Sequence, residues 1–470
     1  MIIPVHEIED DDSRVFNLYE KREKIYTRKI EGFYQLLRAF TGWPLLLGYF
    51  FIPWLTVNDH QAILFDLPLR QFHIFWLTFW PQDFSLLAWA LVIAAFLLFF
   101  VTTLFGRVWC GYSCPQTVWT AIFMWMEQVA EGDRHQRINL DQAPWSVSKG
   151  FKRFAKHGMW LGFAALTGVT FISYFYGVKP LLIDAYNLQL PLAAVFWIGF
   201  FTAATYINAG WMREQVCMYM CPYARFQAAM FDSDTLIVSY DAKRGEARGP
   251  RKRSAEPAEL GLGDCIDCTM CVQVCPTGID IRNGLQHECI NCAACVDACN
   301  GIMDKMGYDS GLISYTTEHQ LAGNKWTWKR PKLIGYGLAL IVMMALFAST
   351  LITRVPLELD VMRSRAQLYQ EVAGGRIQNT YTVKVLNKDT VDGEYKLTVL
   401  GIDNLEWMPS RTIFVEAGGI AEIPMTVLVD TDSLGSVNTD IEFEVISLTG
   451  SARAVSESRF LGPVPAGKRL

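Results

Sequence analysis

Eight of the twelve cysteines lie between Cys265 and Cys299 and repeat one spacing twice. In each copy, three cysteines are separated by two residues, and a fourth follows after three more. Three thiolates at this spacing can wrap one iron–sulfur cube, and in two-cluster ferredoxins the fourth cysteine of each run binds the other run's cluster. The pattern therefore predicts two [4Fe–4S] clusters. One is bound by Cys265, Cys268, Cys271 and Cys299, and the other by Cys289, Cys292, Cys295 and Cys275.

The alternatives for this stretch are a pair of zinc sites or a disulfide framework. Structural zinc is usually bound by two separated pairs of ligands, which the third cysteine of each run does not match. A disulfide framework is typical of short secreted chains in an oxidising compartment. Pro276 after Cys275 agrees with the bacterial ferredoxin pattern, whereas Asn300 after Cys299 departs from it. Iron–sulfur clusters are the interpretation that fits the spacing.

The remaining four cysteines form two copies of a second motif, Cys-x-x-x-Cys-Pro. They are Cys110 with Cys114 and Cys217 with Cys221. Each copy follows an even-numbered apolar stretch, which indicates duplication of a two-span unit. Residues i and i+4 of a helix face the same way, so each motif is predicted to present two sulfurs in one direction. Two such units side by side would offer four thiolates near the membrane surface.

Soft thiolates favour Cu(I), zinc or iron–sulfur clusters. Met218 and Met220 flank the second pair and are candidates for additional thioether ligands. The alternative is that these cysteines and methionines only pack the helix ends, as soft hydrophobic side chains do. Because the motif recurs in equivalent positions, a redox or metal-binding role is preferred. The motif alone leaves open whether the cysteines bind copper, bind a further cluster or cycle as dithiols.

Half of the chain (51%) is hydrophobic, and five stretches are long and apolar enough to cross a bilayer. They are 38–57, 84–105, 158–178, 190–211 and 333–353. No histidine falls inside these five stretches, which argues against a membrane haem. The formal net charge of −5 gives no indication of nucleic-acid binding. The N-terminal stretch has no apolar segment with a cleavage site, so no removable signal peptide is expected.

Lysine and arginine counts predict the orientation in the membrane. Residues up to Arg38 carry seven, the loop 106–157 carries seven, and residues 212–332 carry fourteen. The loops between them carry only Arg70 and Lys179. Positive charge accumulates on the cytoplasmic side, so the N-terminus and the ferredoxin segment are predicted to be cytoplasmic. After five spans, the C-terminal residues would lie outside.

The tail carries short alternating runs, such as Tyr381–Leu386 and Ile441–Ile446, separated by turn signals. This spacing favours a β-sandwich of the Ig-like kind. The predicted fold class is therefore a polytopic α-helical membrane domain, a two-cluster ferredoxin-like α+β domain and an all-β Ig-like sandwich. The predicted segments are a cytoplasmic N-terminus (1–37), a four-span membrane domain (38–240), a basic linker (241–263), the ferredoxin domain (264–300), a juxtamembrane segment (301–332), a fifth span (333–353) and the sandwich (354–470). The linker is predicted to lie on anionic lipid headgroups, with a solvated tether as the alternative.

Several motifs, in this order, resemble those of the cytochrome c oxidase accessory family called CcoG, FixG or RdxA. They are Phe79–Phe84, the two Cys-x-x-x-Cys-Pro motifs, Tyr240–Glu246, the double ferredoxin motif, Met303–Tyr308 and Gly311–Ile313. The resemblance implies a bacterial inner-membrane polyferredoxin with a periplasmic Ig-like domain. It also implies a role in assembly of a cbb-type oxidase, with its assembly machinery and copper chaperones or transporters as partners. The family's reduction of Cu(II) to Cu(I) would fall on Cys110, Cys114, Cys217 and Cys221.

Two main functions compete. The first is a cupric reductase that passes single electrons from a cytoplasmic donor to copper at the membrane cysteines. The second is a non-catalytic assembly factor or redox sensor whose Ig-like domain binds a partner. A quinol-linked electron conduit is a third interpretation. Because no Gly-x-Gly-x-x-Gly follows a predicted strand, no dinucleotide site is expected, and the electrons must come from another molecule.

Overall fold

The computed structural model describes residues 24–463, except 58–59, 256, 354–356, 365–366, 373, 390, 410–411 and 435. Most of the predicted N-terminal segment, residues 1–23, therefore lies outside the described residues. The α-helices are α1 (Phe33–Phe51), α2 (Phe84–Phe105), α3 (Val108–Tyr112), α4 (Pro115–Glu131), α5 (Arg134–Gln142), α6 (Val147–Tyr176), α7 (Val178–Tyr186), α8 (Leu192–Thr205), α9 (Pro222–Met230), α10 (Ala242–Gly245), α11 (Met270–Gln273), α12 (Ala294–Met306), α13 (Glu318–Leu321) and α14 (Pro331–Ile352).

Five helical segments are long and apolar enough to cross a membrane, which confirms the five predicted spans. They are Phe33–Trp54, Phe84–Phe105, Val147–Tyr176, Leu192–Met212 and Pro331–Ile352. The third begins well before its apolar stretch because Ser146 caps it, accepting a hydrogen bond from the Lys149 amide at 3.2 Å. His157 consequently lies inside this helix, so the prediction that no histidine lies in a span is wrong. Its Nδ1 is 2.7 Å from the Tyr206 hydroxyl.

The chain divides into two compact units. One contains the residues up to Leu64 together with Val92–Leu340, and the other contains Phe65–Leu91 with Ile341–Leu470. The strands are β1 (Thr56–Val57), β2 (His60–Gln61), β3 (Ile63–Asp66), β4 (Gln71–Ile74), β5 (Leu77–Phe79), β6 (Ile237–Tyr240), β7 (Ile313–Thr316), β8 (Leu357–Arg363), β9 (Gln370–Val372), β10 (Arg376–Asn387), β11 (Gly393–Leu400), β12 (Glu406–Met408), β13 (Thr412–Val415), β14 (Ile420–Asp430), β15 (Asn438–Ser447) and β16 (Arg453–Leu461).

The second unit contains the β-sandwich predicted for the C-terminal residues. One sheet has the order β12-β14-β10-β8, with β9 also pairing β10, and the other has the order β13-β11-β15-β16. Alternate residues of the long strands point inward, and Tyr381, Phe443 and Phe460 are fully buried in the core. In the same unit, Lys388 binds Asp83 at 3.1 Å and Glu358 at 2.6 Å. The segment before α2 is therefore joined to the sandwich by an ion pair.

The first unit contains the cysteine-rich segment, which is closed by a short two-stranded sheet. Strand β6 pairs antiparallel with β7, so Val238 lies opposite Tyr315. The apolar core beneath this sheet contains Val238, Ile281 and Met303 along with several of the cysteines. The sheet brings together chain segments on either side of the cysteine motifs and fixes the position of the loops between them.

Helix α12 also contacts the start of the first membrane helix. The carboxylate of Asp297 accepts hydrogen bonds from the amides of Tyr34 at 3.1 Å and Gln35 at 2.8 Å. These amides lack partners within α1, and a carboxylate at a helix N-terminus also complements the helix dipole. Asp297 is buried. It therefore attaches the cysteine-rich segment to the membrane helices.

The basic linker packs against the first cysteine loop. The Gly249 amide donates to the Cys265 carbonyl at 3.2 Å, and the Asp264 amide donates to the Arg244 carbonyl at 2.9 Å. The Arg244 side chain binds the Asp264 carboxylate at 2.5 Å. The linker is thus held on the folded unit and is not a free tether. Contact with lipid headgroups stays a prediction.

Candidate iron–sulfur and thiol site

The two cysteine loops share an unusual backbone conformation. In each copy, the residues just before and just after the second cysteine have positive φ angles. They are Asp267 (52°), Thr269 (54°), Asn291 (51°) and Ala293 (56°). Such angles are uncommon for residues other than glycine, although aspartate and asparagine adopt them more readily than most. Because the same turns occur at equivalent positions, both loops curl around a centre in the same way.

Each loop surrounds a small cavity. The cysteines lining the first cavity are Cys265, Cys268, Cys271 and Cys299. Those lining the second cavity are Cys275, Cys289, Cys292 and Cys295, together with Cys271. Apart from the additional Cys271, these are the two sets of four that the crossed spacing predicts. Cys271 lines both cavities, so the two cavities adjoin.

Helix α12 explains how the fourth cysteine crosses over. Cys295 and Cys299 are one turn apart on this helix, and Cys295 lines the second cavity while Cys299 lines the first. A rise of about 1.5 Å per residue separates residues one turn apart by about 6 Å along the helix axis. One rigid helix therefore contributes a thiol to each cavity.

Four of these eight cysteines are buried and three are half-buried, but Cys268 is exposed. Burial raises the pKa of Cys289 to about 12 and that of Cys299 to about 12, and it raises the pKa of Cys271 to about 11. Thiolates are the ligands of iron. Ionising four thiols in one buried pocket therefore requires a bound cation to compensate their charge.

The residues present fit iron–sulfur clusters. Each cavity is lined by its four predicted cysteines, and most of the other lining residues are apolar, including Ile281, Ile290 and Val238 around the second cavity. The chain's twelve cysteines are all free thiols, so the disulfide alternative is wrong. Among the described residues, no three His, Cys, Asp or Glu side chains converge closely enough to bind a single metal ion.

The two membrane motifs are not the continuous helices that the sequence predicts. Cys110 lies in α3 and Cys217 in the π-helix Val216–Met220, but each second cysteine is extended. The φ and ψ angles are −61° and 128° at Cys114 and −77° and 111° at Cys221. A proline follows each of them, and steric contact with its ring disfavours the helical conformation of the preceding residue. The prediction that i and i+4 geometry aligns the sulfurs is therefore wrong.

The four membrane thiols nevertheless lie near one another. Burial, followed by the negative charges of Cys114, Cys110 and Cys221, raises the pKa of Cys217 to about 12. Burial and the charge of Cys114 likewise raise the pKa of Cys110 to about 11, although a hydrogen bond from Gln227 partly lowers that pKa. The thiols thus lie within electrostatic reach of one another across the two motifs. Their role as ligands stays a prediction.

The two flanking methionines lie in the π-helix Val216–Met220 beside Cys217. Met220 is 57% exposed, whereas Met218 is half-buried. Their proposed role as thioether ligands stays a prediction.

A buried ion-pair network positions the second membrane motif. Arg213, with a φ of 47°, connects the π-helices Tyr206–Met212 and Val216–Met220. Its guanidinium binds Glu127 of α4 at 2.8 Å, and Arg137 binds the same carboxylate at 3.1 Å. Lys156 and Arg153 bind the neighbouring Glu131 at 2.8 Å and 2.9 Å. The irregular segment that carries Cys217 is thus tied through Arg213 to helix α4, which is itself joined to α6 by the Glu131 ion pairs.

The first membrane motif touches the second cysteine loop directly. A methyl group added at Gly111 would lie 2.7 Å from the Ile290 carbonyl oxygen and 3.0 Å from the Cys292 Cα. These separations are too short for a Cβ, so only glycine allows this approach. Cys110 packs in the same apolar cluster as Cys292 and Ile290. The membrane thiols are therefore adjacent to the ligands of the predicted second cluster.

Polar contacts reinforce this junction. The Tyr112 hydroxyl is 3.0 Å from the Tyr315 hydroxyl, which in turn hydrogen-bonds the Asn291 carbonyl. The Arg107 guanidinium donates to the carbonyls of His287 and Cys289, the latter at 3.4 Å. It also donates at 2.7 Å to the carbonyl of Ala224, in helix α9. Arg107 therefore joins the second cysteine loop to the segment after the second membrane motif.

Sequence reasoning missed these junction residues. Gly106, Arg107 and Gly111 all lie within four residues of Cys110, but their partners are backbone groups of a distant segment. Gly106 has a φ of 59°, and a methyl group there would lie 2.6 Å from the Leu236 carbonyl oxygen. Two glycines so close to a cysteine motif were the one signal in the sequence that another segment packs closely here. They did not reveal which segment of the chain that is.

Comparison with protein-family models matches three parts of the chain. Residues 212–318 match a model described as a 4Fe-4S dicluster domain, and residues 347–463 match the Ig-like fold at the C-terminus of FixG. Residues 87–129 match a model described as a 4Fe-4S binding domain. With the five apolar helices, these matches define a class of protein: a membrane protein with a two-cluster iron–sulfur domain and an Ig-like domain.

Similar proteins extend over most of the chain. It is 40% identical to the nitrogen fixation protein FixG of Rhizobium meliloti, over 85% of this chain and 82% of that protein. It is 36% identical to protein RdxB and 38% identical to protein RdxA of Cereibacter sphaeroides, covering 98% and 94% of those proteins. A crystal structure of a FixG-related protein from Vibrio parahaemolyticus covers 23% of this chain at 36% identity, with a TM-score of 0.22. The chain belongs to the FixG and RdxA family of iron–sulfur electron-transfer proteins.

Proposed function

We propose that this protein reduces Cu(II) to Cu(I) at its four membrane cysteines, to supply copper for assembly of a cbb-type cytochrome c oxidase. Each copper ion takes up one electron, which a separate one-electron carrier supplies. The clusters, when bound, supply one-electron storage between that carrier and the copper. Cu(I) is a soft ion that prefers thiolate ligands, so Cys110, Cys114, Cys217 and Cys221 are suited to bind the reduced product.

One observation carries the proposal. Gly111, inside the first membrane motif, lies against the backbone of the second cysteine loop, and Cys110 packs against the apolar cluster that contains Cys292. Cys268, at the first cavity, is exposed. The chain thus provides an accessible entry at one cavity and a close contact with the membrane thiols at the other.

The proposed orientation places the donor and the product on defined sides of a bacterial inner membrane. The lysine and arginine counts support a cytoplasmic N-terminus and ferredoxin domain, with the Ig-like domain in the periplasm. The donor would then be a cytoplasmic carrier. The Ig-like domain would face the oxidase assembly machinery and the copper chaperones or transporters.

The test is anaerobic Cu(II) reduction by the purified full-length protein, first reduced with dithionite and then freed of excess reductant. Replacing Cys110, Cys114, Cys217 and Cys221 together with serine should abolish Cu(I) formation and copper binding. Both clusters should remain, with about eight iron atoms per chain, because their ligands lie on other segments. As a matched control, Cys268→Ser should lose iron and keep copper binding.

In cells, the quadruple serine variant should fail to mature the oxidase, and added external copper should partly restore oxidase activity. If the quadruple variant matures the oxidase normally, the copper-reductase proposal is wrong. A non-catalytic assembly factor or redox sensor would then replace it.

A second candidate is that the four membrane thiols bind a further iron–sulfur cluster. The match of residues 87–129 to a 4Fe-4S binding domain favours this candidate, because that range contains Cys110 and Cys114. Iron analysis separates the two candidates. A third cluster would give about twelve iron atoms per chain in the wild type and about eight in the quadruple serine variant.

A further inference from the structure

Arg107 is a buried cation at the junction between the second cysteine loop and the membrane thiols. Arg107 is only 4% exposed. Its guanidinium donates to the carbonyls of His287, Cys289 and Ala224. Two of these carbonyls belong to the loop around the second cavity, and the third follows Cys221 by three residues.

The charge of Arg107 has no carboxylate partner among the ion pairs of the described residues. Its hydrogen-bond partners are backbone carbonyls, which are dipoles and carry no net charge. A buried cation without a counter-ion is costly. The cost falls when an anionic group lies beside it, and a cluster bound by four thiolates is such a group.

The fixed charges beside the first cavity are balanced. Arg282 lines it and is itself buried, but its guanidinium is paired with two carboxylates. Asp280 binds it at 2.6 Å and 2.8 Å, and Asp267 binds it at 2.5 Å. Arg251, which is partly buried, also donates to the Cys265 carbonyl at this cavity, at 3.4 Å. Two cations and two carboxylates leave a net charge of zero for these four groups. Arg107 leaves a net charge of +1 beside the second.

We infer that Arg107 sets the reduction potential of the second cluster above that of the first. Reduction adds one negative charge to a cluster, and a nearby fixed positive charge stabilises the reduced form. With both clusters bound, an added electron would be favoured at the second cavity, which lies next to Cys110. The inference rests on the proposed electron-transfer route for its direction, although the two potentials can be measured without copper.

The experiment is an anaerobic redox titration of the full-length protein with dithionite, monitored by electron paramagnetic resonance. The wild type should show two midpoint potentials. Arg107→Gln should lower the higher midpoint and leave the lower one in place. Asp280→Asn removes a negative charge at the first cavity and should raise the lower midpoint.

Two further variants separate charge from structure. Arg107→Lys keeps the charge and should stay nearer the wild type than Arg107→Gln. Arg330 is a matched control, because it is also buried and donates at 3.1 Å to a backbone carbonyl, that of Thr103, but it is paired with Asp232 at 2.8 Å. Arg330→Gln should leave both midpoints unchanged.

The inference is overturned if Arg107→Gln keeps both midpoints, or if Arg107→Lys lowers the higher one as much as Arg107→Gln does. Should Arg107→Gln fail to incorporate iron, the remaining variants decide. The inference then stands only if Arg107→Lys keeps both midpoints and Asp280→Asn raises the lower one. If the midpoints shift as expected but the protein does not reduce Cu(II), only the copper proposal is wrong. If the protein reduces Cu(II) but the midpoints do not shift, only this inference is wrong.

Discussion

Single residues decide how close the membrane motif comes to the cysteine loop. Gly111 allows the Ile290 carbonyl and the Cys292 backbone to reach its α-carbon, and Gly106 allows the chain to turn at a φ of 59°. A side chain at either position would push the two segments apart. In the proposed electron route, this close packing keeps the distance between the second cavity and the membrane thiols short, which would favour electron transfer between them.

Gly111→Ala should therefore destabilise the junction by about 1–3 kcal/mol, the usual cost of overpacking a filled site. Loss of cluster absorbance on heating should occur at a lower temperature, and hydrogen exchange should accelerate around Cys289 and Cys292. Gly301→Ala is the control, because Gly301 lies in helix α12 with nothing within 4 Å of an added methyl group. Alanine there should be neutral or should stabilise by up to about 1 kcal/mol through helix propensity. Equal effects of the two substitutions would contradict the close approach.

At the scale of elements, irregular helices carry the second membrane motif and need external support. The π-helices Tyr206–Met212 and Val216–Met220 lack regular i to i−4 hydrogen bonding, and π-helical turns are often found at functional sites. Arg213 between them binds Glu127 of α4, which is 1% exposed. The position of Cys217 thus depends on an ion pair with a neighbouring helix.

The pH dependence of this ion pair follows from the pKa of Glu127. Burial alone would raise that pKa, but Arg213 and Arg137 outweigh it, and the net pKa lies below the ordinary 4.5. A lowered pKa stabilises the folded state above the unfolded-state pKa of about 4.3, and this stabilisation is lost as the pH falls toward the folded-state value. The network should therefore contribute fully at neutral pH and progressively less in acid.

Glu127→Gln should cost about 3–5 kcal/mol near neutral pH, because it leaves buried cations unpaired. The difference in apparent melting temperature between wild type and variant should shrink as the pH is lowered below about 4.3. Glu31→Gln is the control, because Glu31 binds Lys29 at 3.1 Å with both side chains largely exposed. It should change stability by less than about 1 kcal/mol. A difference between wild type and Glu127→Gln that is constant with pH would show that the carboxylate charge is not the cause.

At the scale of the whole molecule, five spans and an uneven distribution of positive charge predict opposite sides for the two ends. The segments rich in lysine and arginine include the loop 106–157 and residues 212–332, whereas the loop 179–189 carries only Lys179. With an odd number of spans, the C-terminal sandwich and the cysteine-rich segment are predicted to lie on different sides of the membrane.

Reporter fusions test this orientation. Alkaline phosphatase should be active when fused after Leu470 and inactive when inserted after Gly323. Gly323 lies in an exposed turn with a φ of 90°, and a methyl group added there would have nothing within 4 Å. A fluorescent protein should behave in the opposite way. As a control, phosphatase inserted beside Leu188, which is 92% exposed, should be active because the loop 179–189 is predicted to lie outside. Phosphatase activity in both the Leu470 and Gly323 fusions would refute the topology.

Short-range patterns allowed much of this protein to be predicted. The grouping of the eight cysteines follows from spacing, the five spans follow from runs of apolar residues, and the sandwich follows from alternation along strands such as β10 and β15. Each of these signals lies within one segment of the chain. The same reasoning failed at Cys114 and Cys221, where the following proline overrides the helical period of the neighbouring residues.

Only the tertiary structure decided how the cysteine groups meet. Arg107 donates to a carbonyl 180 residues away, and Tyr112 contacts Tyr315 across 203 residues. Every residue has a carbonyl, so such a partner leaves no mark in the sequence. Among the described residues, Arg107 has no ion pair with a carboxylate, whereas Arg282 pairs with Asp280 and Asp267. This difference likewise depends on which segments pack together. The sequence determined which chemistry each cysteine group is suited for, and the packing determined which groups are neighbours.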